Sequence, residues 1–200
     1  MTNATPRALI LGSTSDYRRE LLERLRIPFT VVAPDVDEIT MAGETPEQTA
    51  KRLALAKAHA VAHGRANSVV IGSDQVADLH GEAIGKPGNF ERARGQLQRM
   101  SGQTVVFHTA VAVVCSAQQF VAQALVPVRV KFRTLSDAEI SYYLLAETPY
   151  DCAGSAKSEG LGIALLERID NSDPSALVGL PLIETARMLR AAGIPILGSV

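Results

Sequence analysis

The sequence has only two cysteines, Cys115 and Cys152, and they lack the paired spacing of a metal site. That excludes a thiolate zinc centre and a disulfide framework, and points to reduced thiols in a cytoplasmic protein. No apolar run reaches the roughly 18 residues needed to span a membrane. The opening MTNATPR leads straight into a strand-like run, so no signal peptide is expected. Excess charge of one sign is also missing: 20 Lys and Arg stand against 21 Asp and Glu, for a net charge of −1, with the signs interspersed. Such a surface sets up no field for a polyanion, so nucleic acid is not an expected partner, although a charged pocket for a small anion remains open. Internal repeats, low-complexity tracts and clean linkers are absent as well. What remains is a chain of 200 residues with an ordinary apolar fraction of 46%. It is read as one domain over residues 1–200, long enough to bury roughly 70% of its unfolded surface.

Helices and strands alternate in the first half. RALILGS (7–13) reads as a short buried strand ending at Gly12. Ser15 then caps a helix over DYRRELLERL, with Leu21, Leu22 and Leu25 as its apolar stripe. Arg18 precedes these leucines by three, four and seven positions, so it shares their inward face. FTVVAP (29–34) reads as a second strand, followed by the acids Asp35, Asp37 and Glu38 of DVDE. The next helix is announced by Thr45, Pro46 and Gln48, a capping box with proline in the first turn, and stops near Gly64. Lys57 falls on its apolar stripe with Ala50, Leu53 and Val61.

The stretch SVVIGSDQVADLHGEAIGKPG reads as an apolar strand broken by Gly72 and Ser73, with Asp74 at its tip and Lys86 a hairpin away. A helix capped by Asn89 runs to about Met100, and two long strands meet at a turn near Ala117 and Gln118. Ser136 and Glu139 form a second capping box. LGIALLERI reads as a strand, and LPLIETARMLRAAG as a helix ending at Gly193 that serves the core. The pattern predicts an α/β protein built on a mixed sheet with flanking helices.

Several chemical readings compete. Gly81, Gly85 and Lys86 imitate a phosphate loop, but the gap is three residues and Pro87 replaces Ser or Thr, so that reading fails. GSTSDYR at a strand–helix junction is better: Ser13, Ser15 and the helix amides can hold a phosphate, with Arg18 adding charge. An ordinary capped helix would look the same locally. Lys57 alone could equally pair with a structural acid. Two inward cations together need anions, from protein or ligand. With Asp74 and the DVDE acids they point to a metal–phosphate site. His59, His63, His80 and His108 are scattered and form no metal set. Cys152 has no histidine near it in sequence and reads as a small buried thiol.

Taken together, LGSTSDYRRELLERL, APDVDE, RLALAKA, IGSDQV, GKP, MSGQT, FRTLSDAEI, YDCAGSAKSEGLG and LVGLPL resemble the Maf family of nucleoside triphosphate pyrophosphatases. Each motif is modest alone, but in this order, from about Leu9 to Leu197, they are specific. GSDQV and AGSAKSEG resemble the 7-methyl-GTP branch; the dTTP/UTP branch would show a motif like GADT and a glutamine in place of Glu159.

The resemblance implies an elongated fold with two lobes around a central cleft, of the Maf/ITPase-like kind. It implies hydrolysis between the α- and β-phosphates, a divalent cation (Mg, Mn or Co), a nucleoside triphosphate substrate and a homodimer. By motif position Asp74 is the catalytic base. Ser13, Arg18, Glu38, Lys57 and Lys86 are the other polar residues of the active site, with Glu38 and Asp74 as the expected metal ligands. Tyr17, Gln75 and Glu159 fall at the specificity positions. The chain departs from the pattern at Asp16, where the family has Pro, at Tyr17, where the branch has Trp, and at Ala156, where it has Phe. Its base pocket is therefore less aromatic. A pyrophosphatase for dTTP, UTP or another modified nucleotide, and a nucleotide-binding regulator of cell division, stand as alternatives.

Overall fold

The structure is a computed structural model that describes residues 7–197, so the MTNATP part of the leader reading lies outside it. One mixed sheet of seven strands organises the chain. Strands β1 (Leu9–Gly12), β2 (Thr30–Val32) and β3 (Val69–Leu79) are parallel, with β1 in the middle. Strands β4 (Glu82–Ile84), β5 (Thr104–Cys115), β6 (Phe120–Phe132) and β7 (Leu166–Asp170) add antiparallel neighbours, in the order β2-β1-β3-β5-β6-β7 with β4 on β3. Helices α1 (Asp16–Glu23), α2 (Pro46–Ala62), α3 (Phe90–Met100), α4 (Asp137–Glu147) and α5 (Leu182–Ala191) cover its faces. No helix among the described residues is long and apolar enough to cross a membrane.

The long strands make the sheet elongated. The 13 residues of β6 extend about 40 Å at roughly 3.3 Å each. β3, β5 and β6 run through both lobes. One lobe packs β1 and the first half of β3 against α1 and α5 on one face, through Leu11, Leu21, Ile71 and Met188, and against α2 on the other, through Ala54, Ala58 and Val70. The second lobe gathers Leu79, Leu97, Phe107, Phe132 and Tyr143 around α3, α4 and the far strand ends.

The helix starts agree with the capping signals. Ser15, Thr45, Asn89 and Ser136 each accept a backbone N–H of the first turn, and both capping boxes form. Four readings are corrected. α1 stops at Glu23, because Arg26 turns to a left-handed φ of 54°, so Leu25 packs against the core from outside the helix. β2 keeps only Thr30–Val32, where β1 offers pairing partners. Leu161–Leu165 coils into a 3-10 turn, and only Leu166–Asp170 pairs with β6. β3 does not end at Gly72: β5 pairs with it from Val70 to Asp78, so Asp74 lies in mid-strand rather than at a tip.

The cleft forms where β3 is left bare on one side. β1 pairs with it up to Gly72 and β4 from Ala77, which leaves Ser73–Val76 without a strand partner on that edge. Gly72 explains the close approach of α2. A Cβ at this position would run into Ala54 O and Ala58 N of the helix. Gly72→Ala is therefore expected to cost about 1–3 kcal/mol by overpacking, read from urea unfolding. Gly95→Ala, in α3 where a Cβ meets nothing, should be neutral or slightly stabilising. Equal unfolding midpoints for Gly72→Ala and wild type would refute the tight-contact account.

Candidate active site

α2 and β3 together build the centre of the site. With Gly72 admitting the helix, the buried Lys57 reaches across to β3, and its Nζ lies 2.6 Å from Asp74 Oδ1. The same Nζ lies 2.6 Å from Glu38 Oε1. One cation thus holds two carboxylates, and the two shift in opposite directions. Burial pushes Asp74 above the ordinary carboxylate range, against the pull of Lys57 and Arg18. For Glu38 burial also works upward, but the Lys57 hydrogen bond and charge, with Lys86 and Arg18, outweigh it and the net shift is downward. Exposure decides the difference: the Asp74 side chain is 10% exposed and that of Glu38 60%.

Arg18 enters from the first turn of α1, as its spacing predicted. Its Nε donates to Gly179 O at 2.9 Å and its Nη1 to Ser13 Oγ at 3.4 Å. Burial lowers its pKa, opposed by Asp74 and Glu38. Ser13 is buried at the end of β1, and its Oγ also accepts Ser15 N–H.

The loop of the LVGLPL motif, given no site role from the sequence, braces this wall. Gly179 O and Ala110 O both lie within 2.9 Å of Ser73 Oγ. The Gln75 amide nitrogen lies within 3.0 Å of Ala176 O, Leu177 O and Thr109 Oγ1. The loop itself is fixed by Asp173, which accepts from Ser175 and from Ile183 N–H in the first turn of α5. LVGLPL is thus only partly core, because Leu177, Val178 and Gly179 line the cavity. The one signal in sequence was the motif itself, set just ahead of a helix with proline at its start. Gln75 lines the cavity too, but its NH2 group is committed to the loop, which leaves its oxygen to face a ligand.

A single cavity of about 620 Å³ is lined by Ser13, Tyr17, Arg18, Glu38, Lys57, Asp74, Gln75, Lys86 and Glu159, all nine of the residues picked from the sequence. Asp35 and Asp37 do not reach it; Asp37 instead accepts the Ile39 N–H. Cys152 does line it and is only part-buried, contrary to its reading as a small buried thiol. Its Sγ lies 3.8 Å from the Tyr17 hydroxyl, and burial pushes the thiol up to about 11, despite the Tyr17 hydrogen bond. Such a thiol is no nucleophile near neutral pH. Burial likewise raises the Tyr17 hydroxyl. The ammonium of Lys157, another residue not picked out from the sequence, stands 5.7 Å from the centre of the Tyr17 ring.

The donor set fits a hard divalent cation. Glu38 Oε1 and Asp74 Oδ1 both lie 2.6 Å from Lys57 Nζ, and the second oxygen of each carboxylate takes no part in those contacts. Magnesium-class ions are bound by one or two carboxylates, with water and phosphate oxygens completing the shell. Among the described residues no group of three or more His, Cys, Asp or Glu could form an all-protein cage.

Comparison with known proteins shows the family. The family model for "Maf-like protein" matches residues 8–192. A 7-methyl-GTP pyrophosphatase of Albidiferax ferrireducens is 66% identical over the whole of both chains. One of a Polaromonas species is 66% identical over 95% of this chain and 87% of its own. One of Burkholderia pseudomallei is 59% identical over 98% of this chain and 92% of its own. Among solved structures, the Staphylococcus aureus Ham1 protein is similar at a TM-score of 0.46 and 16% identity, over 64% of this chain and 73% of that one, too slight a likeness to add to the argument. With the cations and carboxylates gathered in one cleft and the match running nearly end to end, the chain belongs to the Maf family.

Proposed function

We propose that the chain hydrolyses 7-methyl-GTP to 7-methyl-GMP and diphosphate, and so removes a modified nucleotide. The observation that carries this is the gathering of Arg18, Lys57, Lys86 and Asp74 with Tyr17 and Glu159 on the walls of one cavity. The name borne by relatives that match across the whole chain supports the choice of base.

Asp74 orients a water and takes its proton as the water oxygen bonds to the α-phosphorus. The bond from that phosphorus to the bridging oxygen breaks, and diphosphate leaves with the electron pair. Arg18, Lys57 and Lys86 stabilise the charge on the phosphates and on the departing diphosphate. Ser13 contributes a hydroxyl beside Arg18. Glu38 and Asp74 would hold a divalent metal (Mg, Mn or Co), which would supply further charge neutralisation for the phosphates.

On the base side, Tyr17 stacks on the cationic methylated ring. Glu159 accepts from the guanine N–H groups and complements the ring charge, and Gln75 offers its amide oxygen. The same reading carries a cytoplasmic homodimer with one catalytic unit over the whole chain, acting on free nucleotides and not on nucleic acid. Two unpaired cysteines support the compartment, and a net charge of −1 supports the absence of nucleic acid.

The test is diphosphate release across 7-methyl-GTP, GTP, UTP, dTTP and a nucleoside diphosphate, with and without chelator. 7-Methyl-GTP should lead, and chelation should abolish turnover until Mg, Mn or Co is restored. UTP or dTTP in first place, or turnover of the diphosphate, would overturn the substrate assignment.

A further inference from the structure

Glu159 is exposed, and among the described residues its carboxylate accepts only from Ser158 Oγ, at 3.4 Å. Its side chain therefore does not fix its own place in the cavity; the backbone around it must. That backbone hangs from α4 at two points. Tyr143, buried at 2% exposure, accepts the Lys157 N–H on its hydroxyl at 2.9 Å. One turn later on the same helix face, Glu147 Oε2 accepts the Leu161 N–H at 3.2 Å. Lys157 and Leu161 bracket Glu159, two residues away on either side.

Two glycines hold the loop close to these anchors. A Cβ on Gly160 would collide with the Glu147 carboxylate, and one on Gly162 with the Lys157 backbone. The anchored segment also carries the Lys157 ammonium to the Tyr17 ring, so both proposed base-reading side chains depend on it. Lys157 itself does not line the cavity, whereas Tyr17 does. The cation thus stands near the ring without itself lining the cavity.

We propose that Glu147 is a positioning residue for base selection: through the Leu161 N–H, and together with Tyr143, it fixes where Glu159 stands in the cavity. The inference rests on the reading of Glu159 as the acid that recognises the base. It concerns which nucleotide is chosen, not how the anhydride is cleaved.

The test compares wild type with Glu147→Leu, Glu147→Gln and Tyr143→Phe on 7-methyl-GTP, GTP, UTP and dTTP, measuring kcat and KM for each. Glu147→Leu and Tyr143→Phe should each compress the preference ratio on the order of tenfold, the worth of one lost hydrogen bond. The loss should appear in KM, with kcat for the preferred nucleotide nearly kept. Glu147→Gln retains an acceptor oxygen and should retain the ratio. Tyr143→Phe removes only a hydroxyl, so it carries the test if Glu147→Leu does not fold. Unchanged ratios in the folded variants, or an equal fall for every nucleotide, would overturn the proposal. A wild type that prefers another nucleotide overturns the 7-methyl-GTP reading instead, and the compression is then judged on that preference. A wild type with no preference overturns both.

Discussion

Asp74→Asn is expected to lower turnover of the preferred nucleotide by about 10²–10⁴, the range for loss of a general base. The fold should stay intact. Asparagine keeps the shape and one oxygen for Lys57 Nζ, which still has Glu38 as a partner at 2.6 Å. Nucleotide binding should persist, because Arg18, Lys57 and Lys86 still face the cavity. The pH dependence gives a second reading. Burial raises the Asp74 pKa, so the base becomes competent only above the ordinary carboxylate range. The acid limb of kcat/KM in wild type should lie correspondingly high and vanish from the residual activity of Asp74→Asn. Turnover within tenfold of wild type, with nucleotide still bound in a calorimetric titration, would remove Asp74 from its role.

Lys57→Met should fail differently, in stability as well as in rate. The Lys57 and Asp74 side chains are 5% and 10% exposed, so the mutation strands a buried carboxylate. Breaking such a pair typically costs about 3–5 kcal/mol. Here protonation offers a partial escape. The folded-state pKa of Asp74 is already raised by burial, and loss of Lys57 removes the main force opposing that rise. A carboxyl whose folded pKa exceeds its unfolded value stabilises the fold fully below the unfolded pKa, and the contribution is lost as pH rises through the folded one. The stability deficit of Lys57→Met should therefore be smaller in acid than at pH 8, measured as the difference in urea midpoint from wild type. An equal deficit at both ends would show that the stranded charge is not the cause.

What could be read from the sequence follows the range of each interaction. Thr45 with Gln48, and Ser136 with Glu139, are three residues apart, so their capping boxes were legible and form as expected. The inward turn of Arg18 and Lys57 was legible because helical periodicity is a local property. Asp74 was legible as unusual but was misplaced at a strand end. Gly72 and Ser73 look like a break until β5, more than thirty residues later, continues the ladder past them. The coil at Leu161–Leu165 was missed because an apolar run looks the same in a strand and in a 3-10 turn. At Ala176–Gly179 only the LVGLPL motif was visible, not its role as a brace: its carbonyls hold Arg18, Ser73, Gln75 and Thr109, and carbonyl positions leave no mark in side-chain pattern. Inward spacing and the acids already joined Arg18, Lys57, Glu38 and Asp74 in one expected site, whereas Tyr17, Gln75 and Glu159 were added only through the family resemblance.

The brace also has a consequence for how the enzyme is made. Arg18 and Ser73 belong to the first half of the chain, yet both hydrogen-bond to the carbonyl of Gly179. While the ribosome is still translating, these side chains wait for a partner that emerges near the end of synthesis. A nascent chain stalled before that point has its cations and its base in sequence but no wall to orient them. The brace is thus assembled only once Gly179 has been synthesised.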